Sequence, residues 1–324
     1  MTNTEVVAVS EGSETGEVAC RHARDGSEIV VNTKYLVGCD GANSLVRRLI
    51  GSGIEDLGFK EKWLVVDLLL KQERPDLGDH SIQFCDPIRP MTYCRNPGNR
   101  RRGEITMVKG ETDENITQSD RIWKLLSPWI TPDDADLERK AVYTFQSVIA
   151  EKWRKGRLMI AGDAAHLTPP FMGQGMCAGI RDAANLAWKL VLRENGDVGD
   201  GILNSYQQER GPNVREFIET AIRLGGLINT MDGETAIEKS HGSSNGPARM
   251  SSLLPPLGAG NLDGLISGSS PLSGRLFSQP ILRDGKRLDD EIGYSPVLLV
   301  RNKLPENVVS KIPVLDGQTH SNLI

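Results

Sequence analysis

Near the start of the chain, apolar positions come in short runs broken by polar turns. EVVAV (Glu5 to Val9), GEVACRH (Gly16 to His22) and SEIVV (Ser27 to Val31) are rich in β-branched residues. SEGSETG and an Asp25-Gly26 turn separate them, which predicts a β-meander. KYLVGC (Lys34 to Cys39) predicts another strand, ending abruptly at Asp40-Gly41. From Trp63 to about Ala150 the texture changes. KWLVVDLLL, SIQFC, MTYC, EITMV and AVYTFQSVIA read as strands, and QSDRIWKLLSPWI as a short amphipathic helix ended by proline. GRLMIA (Gly156 to Ala161) predicts one more strand, leading into a helix. Ile180, Ala183, Ala184, Ala187, Trp188 and Val191 recur there with helical spacing, an apolar stripe expected to pack against a sheet. Ile202 to Ile228 predicts further helix, with Pro212 near a helix start. From about Thr230 to Gln279 the chain is rich in Gly, Ser and Pro and reads as a long irregular connection. PVLLV near the end reads as a lone strand with little to pair with.

The pattern predicts an α/β (α+β) fold. Residues 1–58 and 153–235 make a sheet-and-helix domain, and 59–152 form an inserted, mostly antiparallel β lobe. Residues 236–280 are an irregular linker, and 281–324 begin a further domain. A chain of 324 residues is long enough for this division.

Composition narrows the classes of function. The net charge is −5 and no basic stripe dominates, so no nucleic-acid partner is expected. The one basic cluster, Arg100-Arg101-Arg102, follows Pro97-Gly98-Asn99 and reads as a solvated hairpin tip. Cys20, Cys39, Cys85, Cys94 and Cys177 form an odd set with no C-x-x-C pair. They read as reduced, mostly buried thiols of a cytoplasmic protein, not a disulfide frame or a metal site. No apolar run approaches the ~20 residues that span a bilayer, and the N-terminus is polar, so neither a membrane partner nor a signal peptide is expected. No G-x-G-x-x-G turn follows a strand. GAGNLDG (Gly258 to Gly264) has the wrong spacing and follows Pro255-Pro256.

Two stretches carry chemistry. In GDAAHLTPPFMGQGMCAGIRDAAN (Gly162 to Asn185), a strand ends at Gly162-Asp163 and places a carboxylate at a sheet edge. Gly173, Gly175 and Gly179 stand where the next helix begins, letting a flat ligand approach unpaired N–H groups at the positive end of the helix dipole. Pro169-Pro170 stiffens the approach and adds no donors. In YLVGCDGANSLVRRLIG, a second strand ends at Asp40-Gly41, with Asn43 or Ser44 as helix N-cap and Arg47 one turn in. Taken alone, that stretch is accounted for by Asp40 accepting from local backbone and pairing with Arg47. Two such strand ends in one chain are more telling.

D-G-x-x-S-x-x-R, here Asp40-Gly41 through Ser44 to Arg47, resembles the second fingerprint of the p-hydroxybenzoate hydroxylase superfamily of flavin aromatic hydroxylases. GRLMIAGDAAHLTPPFMGQGMCAGIRDAANLAWKL resembles the third. PPFMGQGMCAGIRDAANLAWKL and RLDDEIG are closest to the 3-(3-hydroxyphenyl)propionate hydroxylase branch. The resemblance spans roughly Tyr35 to Gly293. It implies an FAD-binding domain that carries the β lobe as a substrate roof, NADH or NADPH as co-substrate, and O2 and a small aromatic as substrates. The implied reaction is ortho-hydroxylation of a phenol through a flavin C4a-hydroperoxide.

The resemblance also implies roles for individual residues. Gly162-Asp163 would meet the ribityl chain, with Asp163 accepting from it. Gly173, Gln174, Gly175 and Met176 would face the flavin pyrimidine edge. Asp40 and Gly41 would lie near the pyrophosphate, with Arg47 supporting that loop, and Asn185 matches the cofactor-binding pattern too. Pro169 and Pro170 would lie beside the ring on the substrate side. His166 reads as a hydrogen-bonded structural residue.

Members of this superfamily open with a strand, G-x-G-x-x-G turn and helix, and the present sequence begins downstream of that unit. It also reads as stopping near the start of the branch's thioredoxin-like C-terminal domain. A mis-assigned start, a fragment of a split gene and a deliberate truncation all account for this. On that reading the chain alone is expected to bind FAD weakly and hydroxylate little. A non-catalytic fragment, a homo-oligomer, a complementing N-terminal chain and a different phenol or polyketide substrate all stay open.

Overall fold

The β-branched runs at the start form an antiparallel meander of β1 (Thr4–Glu11), β2 (Gly16–His22) and β3 (Glu28–Thr33) in the order β1-β2-β3. The structure is a computed structural model that describes residues 1–12, 15–228, 253–258, 272–282, 284–293, 298–300 and 314–316. The chain divides into two units, Met1–Gly274 and Arg275–Ile324. Most of the expected linker over 236–280 lies outside the described residues.

In the first unit, β4 (Leu36–Gly38) leads into α1 (Leu45–Ile50). The inserted lobe is one antiparallel sheet built on two long strands, β5 (Ile54–Leu70) and β9 (Ala135–Ala150). β6 (Ile82–Phe84), β7 (Met91–Arg95), β8 (Arg100–Thr106) and the later β12 (His166–Leu167) complete the order β12-β9-β5-β8-β7-β6. α2 (Asp113–Ile116) and α3 (Ser119–Leu126) cover one face. Alternation along β5 sends Leu64, Val66, Leu68 and Leu70 into this covered side with Ile105, Ile122 and Ile130. Burying each such side chain contributes ~1.5–3 kcal/mol. A second sheet, β10-β11-β4, joins β10 (Arg154–Lys155) and β11 (Leu158–Ile160) to β4. It packs with α4 (Gly175–Glu194) and α5 (Ser205–Ile228) around Trp153, Met159, Ile160, Leu186 and Tyr206.

Several expectations are corrected. The α4 stripe does not face a sheet: Ile180, Ala183, Ala184, Ala187 and Val191 are exposed, and Trp188 is half-buried. The buried face carries Ala178, Asp182, Asn185, Leu186 and Lys189, because the polar side chains on it find charged partners inside. Arg100 to Arg102 are not a hairpin tip but the first residues of β8. Arg100 pairs with Glu138, Arg102 with Asp67, and Arg101 is buried. Of the five cysteines only Cys20 is buried, while Cys39 and Cys85 are exposed. Pro212 lies within α5 and does not end it.

In the second unit, α6 (Leu288–Ile292) stops at Gly293. The expected lone strand has a partner, since β13 (Leu298–Val300) pairs in parallel with β14 (Val314–Asp316). Among the described residues, no helix is long and apolar enough to cross a membrane.

Candidate functional site

Parallel pairing brings the two chemistry-bearing strand ends together. Leu36, Val37 and Gly38 of β4 lie opposite Leu158, Met159 and Ile160 of β11, and Ala161 N donates to the Gly38 carbonyl at 3.0 Å. Asp40-Gly41 and Gly162-Asp163 therefore leave the sheet at the same edge, where open α/β sheets bind ligands.

The Asp40 side of this edge is held by α1. A Cβ on Gly38 would meet Val46 Cβ at 2.5 Å, so the helix crosses close over the strand end. Gly41 has φ +75°, a left-handed conformation suited to glycine. Ser44 caps the helix, its Oγ accepting from Arg47 N at 2.9 Å. Asp40 Oδ2 accepts from Leu45 N at 2.6 Å and Val46 N at 3.1 Å. Burial pushes the Asp40 carboxyl up, but hydrogen bonds from Ser44 and the helix backbone outweigh it and hold the group below the ordinary carboxylate value. Arg47 does not pair with Asp40. Its Nη1 donates to the Ala164 carbonyl at 2.8 Å and its Nη2 to the Ala42 carbonyl at 2.5 Å, stitching one strand end to the other.

The Asp163 side begins in a 3-10 turn, Gly162–Ala164. Gly162 has φ +60°, and its N–H donates to Asp182 Oδ2 at 3.0 Å. Cβ atoms built on Gly179 and Gly162 would approach the other's Cα at 3.4 and 3.7 Å, so Gly179 serves backbone packing between turn and helix. Asp163 is exposed and has no hydrogen-bond partner among the described residues. Asp182 is the buried anchor beneath it, 2.6 Å from His166 Nε2 and 2.8 Å from Arg210 Nε. Burial raises the Asp182 carboxyl, but His166 and then Arg210 outweigh that and bring it below the ordinary value. His166 is 1% exposed and packs on Trp153, so it belongs to the core.

The start of α4 completes the edge. Pro170–Met172 form a 3-10 turn, Gly173 takes φ +61°, and Gln174 is the N-cap without a side-chain cap bond. The first turn carries no acidic residue, and amides there have no intrahelical acceptor. Cβ atoms on Gly173 or Gly175 would meet nothing within 4 Å among the described residues. Met176 is 76% exposed. Pro169 is buried and Pro170 half-buried. Next to them, Phe171 lies 5.4 Å from the Phe59 ring and 5.8 Å from the Trp63 ring, fixing the loop against the face of the antiparallel sheet opposite α2 and α3.

Asp40, Gly41, Arg47, Gly162 and Asp163 thus share one edge, and the Gly162–Gly179 contact sets the Gly173-to-Met176 end of α4 beside it. Asn185 does not join them. It lies further along α4, where its Nδ2 donates to Glu209 Oε2 at 2.8 Å in a buried group with Lys189. Burial lowers the Lys189 pKa, with Glu209 opposing. Asp182 and Arg210 had not been singled out. The spacing of Asp182, Asn185 and Lys189 on one helical face was the available signal, masked by the more apolar stripe beside it. Chemically, the edge offers an exposed carboxylate acceptor, open glycine backbone and an uncapped helix N-terminus. That combination suits a flat ligand with hydroxyls on one side and negative charge on the other.

Comparison with known proteins bears on this arrangement. A family model described as "FAD binding domain" matches residues 1–221. The chain is 41% identical over 215 residues to a protein of Rhodococcus jostii (strain RHA1) named probable NADH-specific resorcinol 4-hydroxylase, covering 66% of this chain and 40% of that one. It is 36% identical over 219 residues to a 3-(3-hydroxy-phenyl)propionate/3-hydroxycinnamic acid hydroxylase of Klebsiella pneumoniae subsp. pneumoniae, covering 67% and 39%. The chain therefore spans about 40% of the length of these curated relatives. Among solved structures, a ternary complex of aklavinone-11 hydroxylase with FAD and aklavinone superposes with a TM-score of 0.77 at 23% identity, covering 97% and 63%. RebC-10x soaked with chromopyrrolic acid gives 0.76 at 20%, covering 98% and 67%. These structures share the mixed sheet-and-helix fold.

Proposed function

The chain belongs to the FAD-binding-domain family, and from that premise we propose that it forms part of an FAD- and NAD(P)H-dependent aromatic-ring monooxygenase. The substrate class is a small phenol hydroxylated ortho to its hydroxyl, with 3-(3-hydroxyphenyl)propionate as the specific candidate. The observation that carries this reading is the parallel register that puts Asp40-Gly41 and Gly162-Asp163 on one edge beside the uncapped start of α4.

Bound FAD supplies the activation of O2, drawing its electrons from NADH or NADPH. The residues present fit such a group. Asp163, exposed and without a competing partner among the described residues, would accept from ribityl hydroxyls. Gly173 and Gly175 leave open backbone for a flat ring, and the first amides of α4, from Gly175 and Met176, offset negative charge on its pyrimidine edge by ~1–2 kcal/mol. Asp40 and Gly41 shape the pyrophosphate side, with Arg47 holding that turn to Ala164. Pro169 and Pro170 border the ring and exclude water on the side of the antiparallel sheet. The lobe over 59–152 roofs the substrate there.

The test is an FAD titration followed by flavin fluorescence, with NADH oxidation measured with and without 3-(3-hydroxyphenyl)propionate or resorcinol. Weak, saturable FAD binding is expected of this chain alone. In a chain that also carries the family's strand–G-x-G-x-x-G–helix unit, Asp163→Ala, losing a charge-assisted hydrogen bond of ~1.5–3 kcal/mol, should weaken FAD binding by about one to two orders of magnitude. Absence of FAD binding even when the family's strand–G-x-G-x-x-G–helix unit is supplied, or an unchanged affinity in the variant, would overturn the assignment.

A complementing chain is a second reading, favoured by two surfaces. β4 ends the order β10-β11-β4, and among the described residues its outer edge has no strand partner. On one side of α4, Met176, Ile180 and Val191 are 76%, 60% and 57% exposed. A strand beside β4 and a helix over this face would cover both. Adding a separately expressed strand–G-x-G-x-x-G–helix unit of the family should raise FAD affinity at least tenfold. No change speaks against complementation.

A further inference from the structure

The covered side of the antiparallel sheet holds a cavity of about 250 Å³ that the flavin reading does not use. Trp63 meets Phe171 across the other face of the sheet, whereas Leu68, its neighbour Arg101, Gly103 and Tyr93 line this cavity. Gly103 leaves the floor flat, since a Cβ there would already touch Leu126 Cδ2 at 3.4 Å. Phe84 and Trp129, with ring centroids 5.1 Å apart, form an aromatic wall.

Two polar groups break this apolar lining. Arg101 is only 6% exposed. Its Nη1 donates to the carbonyls of Gly98 at 2.9 Å and Arg100 at 2.7 Å, but its Nε finds no partner among the described residues. Arg100 and Arg102 on either side have Glu138 and Asp67, yet no carboxylate pairs with Arg101 among the described residues. The buried Tyr93 hydroxyl also has no partner among the described residues. Tyr93 lies opposite Gly103, two residues along β8 from Arg101, so the two are diagonal neighbours on one face. A buried guanidinium without an anion and a buried hydroxyl without a partner are each costly, and native structures seldom retain such groups unless something satisfies them. The carboxylate of Asp76, at the rim, is already taken by Arg74 at 2.7 and 2.8 Å.

We propose that this cavity is a second small-molecule site, separate from the FAD edge, for a monocyclic aromatic carboxylate. The ring lies over Gly103 against Phe84 and Trp129, and the carboxylate takes the Arg101 Nε–H and the Tyr93 O–H. The volume suits this class: a cavity of about 150 Å³ accepts benzene, and the additional space accommodates a short acid side chain.

The probe is 3-phenylpropionate, titrated into the full chain by calorimetry beside its neutral counterpart 3-phenylpropanamide. The acid is expected to bind at least tenfold more tightly than the amide. Arg101→Met should weaken the acid at least tenfold and Tyr93→Phe at least threefold, while Gly103→Val, filling the floor, should abolish binding of both. Equal binding of acid and amide, no binding of the acid up to millimolar concentration, or full affinity in Gly103→Val overturns the proposal. Should Arg101→Met fail to fold, Tyr93→Phe decides: an unchanged affinity in that near-isosteric variant also overturns it.

Discussion

Behind the antiparallel sheet, the core is aliphatic, with Leu64, Val66, Ile105 and Ile122 packed against α2 and α3. Around the parallel strands, the core is threaded by buried charge, with Asp182, His166, Arg210, Lys189 and Glu209 each at most 1% exposed. The difference follows from what each region must hold. The covered side of the lobe is held mainly by non-directional apolar burial. The edge needs a particular turn in a particular place, and directional bonds do this: Asp182 takes the Gly162 N–H while it binds His166 and Arg210.

Substitutions that exchange these two kinds of support test the contrast. The largest effect is expected for Asp182→Ala, which leaves Arg210 and His166 buried without their anion and should destabilise the fold by ~3–5 kcal/mol, read as a lower urea midpoint. A loss below about 1 kcal/mol would mean that the network does not hold the turn.

Leu64→Ala in the lobe is expected to cost ~2–5 kcal/mol through lost burial and a residual cavity. Its cost should not vary with pH, because no titrating group is touched. A pH-dependent loss would show that the two regions are less distinct than their cores suggest.

A smaller effect is expected at a charged joint of the lobe. Glu111 bridges Arg89 and Arg121, each at 2.8 Å. Burial pushes its carboxyl up, but hydrogen bonds from Arg89 and Arg121 prevail and bring it to about 2 from 4.5. A depressed carboxylate contributes stability above its unfolded pKa and loses it as pH falls through the folded one. Wild type should therefore lose this contribution between pH 4.5 and about 2. Glu111→Gln, ~1.5–3 kcal/mol less stable at neutral pH, should lack that segment of the acid profile. A variant profile parallel to wild type in that window would remove Glu111 from the account.

Much of this was legible along the chain. The meander, the strand at Lys34 to Cys39, the lobe's strands and the α3 helix follow from period and turn residues, and all appear in the fold. So do the two strand ends at Asp40-Gly41 and Gly162-Asp163, whose resemblance to flavin hydroxylase fingerprints agrees with the family match over 1–221. The inside of α4 was not legible. Hydrophobicity selected Ile180, Ala183, Ala187 and Val191, while Asp182, Asn185 and Lys189 are the residues buried. Nor was the inward turn of Arg101 legible, since the Pro97-Gly98-Asn99 turn and the charge of the run suggested solvent for all three arginines and only Arg101 is buried.

The sequence by itself determined the local elements and the chemistry at their ends, because period, turn residues and caps act within a few residues of one another. Only the tertiary structure decided which charges go inside, since Asp182 finds Arg210 28 positions away and Arg47 finds Ala164 117 positions away. A buried charge is stable only beside its partner, and no local pattern states where that partner will be.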